Sequence, residues 1–182
     1  NGLVITAAHC VSDLKPGEKI SLNFSKSKKY KDINIPAEIV FKPDLCETKP
    51  YNCPDDFAIL KLKDPVEIIP LKVAEKKDDP NNYNPSVTCI GYMYDPITGI
   101  DILQDYDDKN GVRNYIFESD ATIFSINEIY KGMSGGPVID QGTKEVIGII
   151  AAKQVAGDRE GISVAEKIQQ VFTDPRTSHI NW

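Results

Sequence analysis

Residues 33–41 alternate: Ile33, Ile35, Ala37, Ile39 and Phe41 are apolar, with Asn34, Pro36 and Glu38 between them. Successive side chains of a strand point to opposite faces, so a period of two marks a strand with one buried face. Ile20, Leu22 and Phe24 alternate in the same way. The run of Lys26, Lys28, Lys29 and Lys31 between the two stretches reads as a solvated hairpin loop. Phe57 to Leu62 is apolar almost without interruption and reads as a strand covered on both faces. Val66 to Val73 continues apolar, punctuated by Pro65 and Pro70. Val87–Tyr92, Tyr115–Phe117 and Ala121–Ile126 read as further strands, and Val138–Asp140 and Glu145–Ala152 flank a turn at Gly142. Only Ala165, Ile168, Val171 and Phe172 keep helical spacing, with Ser163 and Glu166 placed as a capping box. Short strands in succession with one terminal helix predict an all-β chain built as a pair of barrels.

A length of 182 residues suits one large domain or two small ones sharing a core. Glu75 to Pro85, EKKDDPNNYNP, is polar and rich in Pro and Asn, and is the best linker candidate. Asp95 to Gly111 reads as a long acidic loop. Its Asp101, Asp105, Asp107, Asp108 and Asn110 do not have calcium-loop spacing: counting from Asp105, position five is Lys109 and position six is Asn110 rather than Gly. No Cys/His spacing resembles a zinc site, so neither a metal nor another cofactor is expected. A formal net charge of −6 argues against nucleic acid as a partner. No apolar run reaches membrane-spanning length, and the first residues are not a signal peptide.

Chemistry concentrates in three stretches. Lys131-Gly132-Met133-Ser134-Gly135-Gly136-Pro137 holds one serine among glycines. Such a turn can expose a hydroxyl and aim several N–H groups into one small space, where negative charge developing on a carbonyl oxygen is stabilised. The plain alternative is a Gly-rich turn between strands. A serine hydroxyl is a weak nucleophile and needs a base. The chain has two histidines; His179 lies in a polar tail, whereas His9 ends the apolar run LVITAAHC. The base needs an acceptor for its other ring nitrogen. Asp55 and Asp56 both precede the buried run FAILKL. The order His, Asp, Ser is one of the known triad orders. The esterase elbow that G-x-S-x-G also describes needs Ser, then acid, then His, and too little chain follows Ser134 for it.

TAAHC, D-F-A-I-L and G-M-S-G-G-P together resemble the signatures of the chymotrypsin-fold serine peptidases. The resemblance implies two six-stranded Greek-key β-barrels and a C-terminal helix. Residues 1–78 would form a first barrel lacking its N-terminal strands, 79–86 the inter-barrel linker and 87–182 the second barrel. Strands of the first barrel would precede Asn1, so a missing leader says nothing about export. The implied triad is His9, Asp56 and Ser134, with Asp55 facing solvent and the backbone N–H groups of Gly132 and Ser134 as the oxyanion hole. By analogy Glu128, Ile150, Ala151, Ala152 and Gly161 wall the substrate pocket. Glu128 falls near the acid that gives trypsin its basic preference, while Ile150 stands where the glutamate-specific branch has a histidine.

Met133 replaces the aspartate that digestive trypsins carry before their serine, and the pocket lacks their stapling cysteines. The segments Ser119–Ile123 and Glu145–Ile149 look instead like the HtrA and glutamyl-endopeptidase branches. The resemblance covers most of the chain, with loops 44–54 and 95–111 unmatched. Of the four cysteines, Cys46 and Cys53 flank a short loop that a disulfide would close, and Cys89 in its apolar run reads as a buried thiol. The trypsin branch pairs the cysteine at Cys10 with one upstream. This usage fits an oxidising, secreted or extracytoplasmic setting. Polypeptide substrates and protein inhibitors are the implied partners, and a non-catalytic homologue acting as a binding module is the alternative.

Overall fold

A computed structural model describes residues 2–24, 27–31, 33–44, 56–74, 86–94, 101–108, 113–116, 122–125, 132–153 and 163–182. The strands are β1 (Leu3–Thr6), β2 (Lys19–Asn23), β3 (Asn34–Phe41), β4 (Ala58–Leu62), β5 (Val87–Tyr94), β6 (Asp101–Asp108), β7 (Arg113–Ile116), β8 (Thr122–Ser125), β9 (Pro137–Asp140), β10 (Val146–Lys153) and β11 (Ser163–Lys167). Among the described residues one α-helix, α1 (Ile168–Thr173), follows, and 3-10 turns cover Ala8–Val11 and Pro175–Thr177. Every strand pairing is antiparallel, in a four-stranded sheet β1-β4-β3-β2, a five-stranded sheet β11-β10-β9-β5-β6 and the pair β7-β8. This is the expected all-β architecture.

The period-two reading of β3 holds: its burial alternates from Asn34, exposed, to Ile39, buried. In β4 only Lys61 is exposed. The first sheet closes on Ile35, Ala37, Ile39, Leu60 and Leu62, and the second on Val87, Cys89, Met133, Val138 and Ile150. A third cluster joins the two: Phe41, Phe57 and Ile59 of the first sheet's end pack with Val146 and Ile149 of β10 and with Ile168 and Val171 of α1. The segment after β4 also crosses over, since Val146 donates to Lys72 O and accepts from Ala74 N at 2.8 and 2.9 Å. The seam between the sheets is therefore packed and hydrogen-bonded.

Two local readings are corrected. The stretch read as an acidic loop contains β6, which pairs with β5 without a break from Val87↔Asp108 to Tyr94↔Asp101. Ser163 and Glu166 do not cap a helix. They lie in β11, where Ser163 pairs with Lys153 and Glu166 with Ile149, and the helix starts only at Ile168. Ladder hydrogen bonds to β10 outweigh local helical spacing there. Of the linker candidate only Ser86 is described, and the Cys46/Cys53 loop lies outside the described residues. Cys89 is buried and Cys10 exposed. No helix is long and apolar enough to cross a membrane, and no group of three metal-ligating side chains stands together among the described residues.

Candidate active site

The strand carrying LVIT ends at Thr6, and the chain turns through a 3-10 helix, Ala8–Val11. Ala7 and Ala8 are fully buried, as small residues must be where a turn presses against a sheet, and His9 is thrust outward between them and Val11. Asp56 stands immediately before β4, followed by the buried Phe57. Its side chain is only 7% exposed. Both oxygens are used on His9: Oδ1 accepts the backbone N–H at 2.9 Å and Oδ2 the ring Nδ1–H at 2.7 Å. A buried carboxylate needs such donors. Holding both the backbone and the ring of one residue also fixes the imidazole's orientation and tautomer. That bond, and secondarily the contact with Cys10, pushes His9 up from 6.5 to about 10 against the lowering effect of partial burial.

The serine turn is anchored beneath its tip. Gly135 N–H donates to Ile150 O at 2.7 Å, Ile150 N–H donates to Gly136 O at 2.8 Å, and Gly136 N–H donates to Met133 O at 3.0 Å. Gly132 and Gly135 have φ of 100° and 82°, the left-handed region that glycine enters without penalty. A Cβ on Gly135 would lie 2.2 Å from Thr6 Oγ1 and 3.2 Å from Ala7 N, so the turn seats directly on the strand end that leads to His9. Met133 is completely buried in the second sheet's core, and Gly91 opposite leaves room for it: a Cβ there would approach Met133 Cβ to 2.7 Å.

His9 and Asp56 are thus in direct contact, and Ser134 reaches the same seam from the other sheet. Cys10 Sγ touches both sides, 3.8 Å from His9 Nε2 and donating to Ser134 O at 3.6 Å. Ser134 Oγ donates to Ala151 O at 3.4 Å, a long bond. Of the residues read as pocket wall, Ile150 and Ala151 are buried on β10 beside the serine, Ala152 follows on the same strand, and Glu128 and Gly161 lie outside the described residues. Asp55 is likewise outside them. The sequence reading had no role for Thr6 or for the contact of Cys10 with the imidazole. The threonine of TAAHC was in plain view, but its use as a seat for Gly135 depends on a contact across the sheet seam.

A family model for the trypsin-like peptidase domain matches residues 1–149. Among solved structures, the HtrA-type protease AlgW with decapeptide superposes with a TM-score of 0.56 at 16% sequence identity, over 94% of this chain and 46% of that one. The chain therefore spans less than half the length of that structure, and the likeness is one of fold. Among curated proteins none matches.

Proposed function

Because the chain belongs to the trypsin-like peptidase domain family, we propose that it is a serine endopeptidase with His9, Asp56 and Ser134 as its triad. The observation that most supports this is the double grip of Asp56 on His9, backbone N–H and ring Nδ1–H together, at the seam where the serine turn is seated. In the proposed reaction Ser134 Oγ leaves Ala151 O and gives its proton to His9 Nε2 as it attacks the scissile carbonyl. The tetrahedral oxyanion is received by the N–H groups of Gly132 and Ser134. His9 then returns the proton to the leaving amine, and water hydrolyses the acyl-enzyme by the same route. In free enzymes such hydrogen bonds are often long and tighten on substrate binding, which fits the resting position of Ser134 Oγ. Polypeptides are the substrates, protein inhibitors are candidate partners, and a secreted or extracytoplasmic setting completes the reading. The second reading, a binding homologue without turnover, draws on the same resting position, with the thiol of Cys10 and not the serine hydroxyl against His9 Nε2.

A fluorophosphonate probe separates the two. It is expected to label wild-type protein at Ser134 and to leave His9→Ala and Ser134→Ala unlabelled. Labelling that survives in the His9 variant disproves the triad, and absence of labelling in the wild type favours the binding homologue.

The pH profile gives a further check. The base must be neutral to accept a proton, and Asp56 raises its pKa from 6.5. The acid limb of kcat/KM on an amide substrate is expected to lie above 6.5. A limb at or below that value would mean that the Asp56 bond does not hold in the free enzyme.

A further inference from the structure

Lys42, the first residue after β3, reaches back across the first sheet to the turn that bears His9. Its Nζ donates to Ser12 O at 2.8 Å and to Val11 O at 3.2 Å. These are the carbonyls at the C-terminal end of the Ala8–Val11 turn. The Val11 carbonyl also accepts from Leu14 N–H at 3.1 Å, so the ammonium is its second donor, and an ammonium, with three donors and a positive charge, is well matched to carbonyls at a turn's end.

The residue before it acts on the other half of the pair. The Phe41 ring stacks on Phe57, centroids 5.2 Å apart and 24° from parallel, and Phe57 directly follows Asp56. The guanidinium carbon of Arg176 also lies over the Phe41 ring, 5.5 Å from its centre. Side chains alternate along a strand, so consecutive residues at its end reach in opposite directions. At the end of β3, Phe41 holds the segment that presents the carboxylate, and Lys42 holds the turn that presents the imidazole.

We propose that Lys42 is a positioning residue for His9: its ammonium fixes the Ala8–Val11 turn so that His9 keeps its two-point contact with Asp56, through backbone N–H and ring Nδ1–H. The inference rests on the triad reading for its effect on turnover, but not for its effect on the ring. Without Lys42 the Val11 carbonyl keeps its bond from Leu14 N–H, and the Ser12 carbonyl, on an exposed residue, can turn to water. The expected loss is therefore one of geometry more than of folding.

The test uses the full-length protein with Lys42→Met and Lys42→Arg, each concentration set by fluorophosphonate titration so that only competent molecules are counted. Lys42→Met is expected to lower kcat about 10-fold with KM changed less than about twofold, since small displacements of a base cost rate more than binding. Lys42→Arg, which keeps the charge and the donors, is expected to recover most of it. In parallel, histidine-labelled protein is observed by NMR, where the His9 Nδ1 proton is distinguished from the only other histidine, the exposed His179. That proton is expected to exchange faster with solvent in Lys42→Met and to return to wild-type behaviour in Lys42→Arg. Unchanged kcat and unchanged exchange in Lys42→Met overturn the proposal, as does a loss that arginine fails to rescue. If the wild type takes up no probe, the triad reading fails by itself, and the exchange of the His9 proton still decides the role of Lys42.

Discussion

Asp56→Asn is expected to lower kcat/KM by about four orders of magnitude while leaving the fold intact. The substitution is nearly isosteric, and the side chain stays in a buried site where both ends already face donors on His9. An amide offers only one acceptor end. If its oxygen keeps the His9 backbone N–H, its NH2 faces Nδ1, and the ring must then accept at Nδ1 and carry its proton on Nε2. An imidazole in that tautomer cannot take a proton from Ser134. If the amide flips, an N–H group meets the backbone N–H and the turn is pushed apart. Either outcome removes the largest cause of the raised His9 pKa.

The sign of the accompanying stability change follows from that shift. A pKa raised in the folded state gives stability that is fully present below the unfolded value of 6.5 and is lost as pH rises through the folded value. The gap in denaturation midpoint between wild type and Asp56→Asn should therefore be wider at pH 5.5 than in strongly alkaline solution. A loss in kcat/KM under tenfold, or a gap that widens with alkalinity, would show that Asp56 does not orient the base.

Gly135→Ala is expected to cost about 2–4 kcal/mol in stability and at least about 10²-fold in turnover. Two penalties meet at this position. The backbone is at φ 82°, where a Cβ is crowded by its own chain, and the added methyl would lie 2.2 Å from Thr6 Oγ1. Thr6 is β-branched and stiff, and Ala7 N stands 3.2 Å away, so relief requires backbone movement. The turn that lifts is the one bearing Ser134, the proposed nucleophile. Adding Thr6→Gly should recover the part due to the clash and leave the part due to backbone strain. Full activity in Gly135→Ala would mean that the serine turn does not sit on the His9 strand.

The alternation of β3, the buried run of β4 and the Gly-rich turn could be read directly because each pattern is local. Position alone left Asp55 and Asp56 competing; the choice of Asp56 came from the family resemblance, and it is Asp56 that bonds His9 at two points. The acidity of Asp101–Asp108 hid a strand. Aspartate disfavours isolated strands, yet an eight-residue register with β5 supplies what propensity withholds. The same competition turned Ser163–Lys167 from expected helix into β11. The side chains that steady the site were hidden for a different reason. Lys42 lies 30 residues from Ser12 and Cys10 lies 124 from Ser134, so nothing periodic links them.

Met133 has a consequence for how such a molecule would be controlled. Trypsin-like zymogens are latent because an aspartate at this position waits for a newly cut amino terminus, and a buried carboxylate without its cation costs about 3–5 kcal/mol. Here the position holds a thioether sealed into an apolar core against Gly91. The residue before Ser134 therefore offers no charge to be satisfied by cleavage. Under the proposed function a turn so built needs no cleavage to be complete, and restraint would act from outside it, through inhibitors, substrate access or the timing of release.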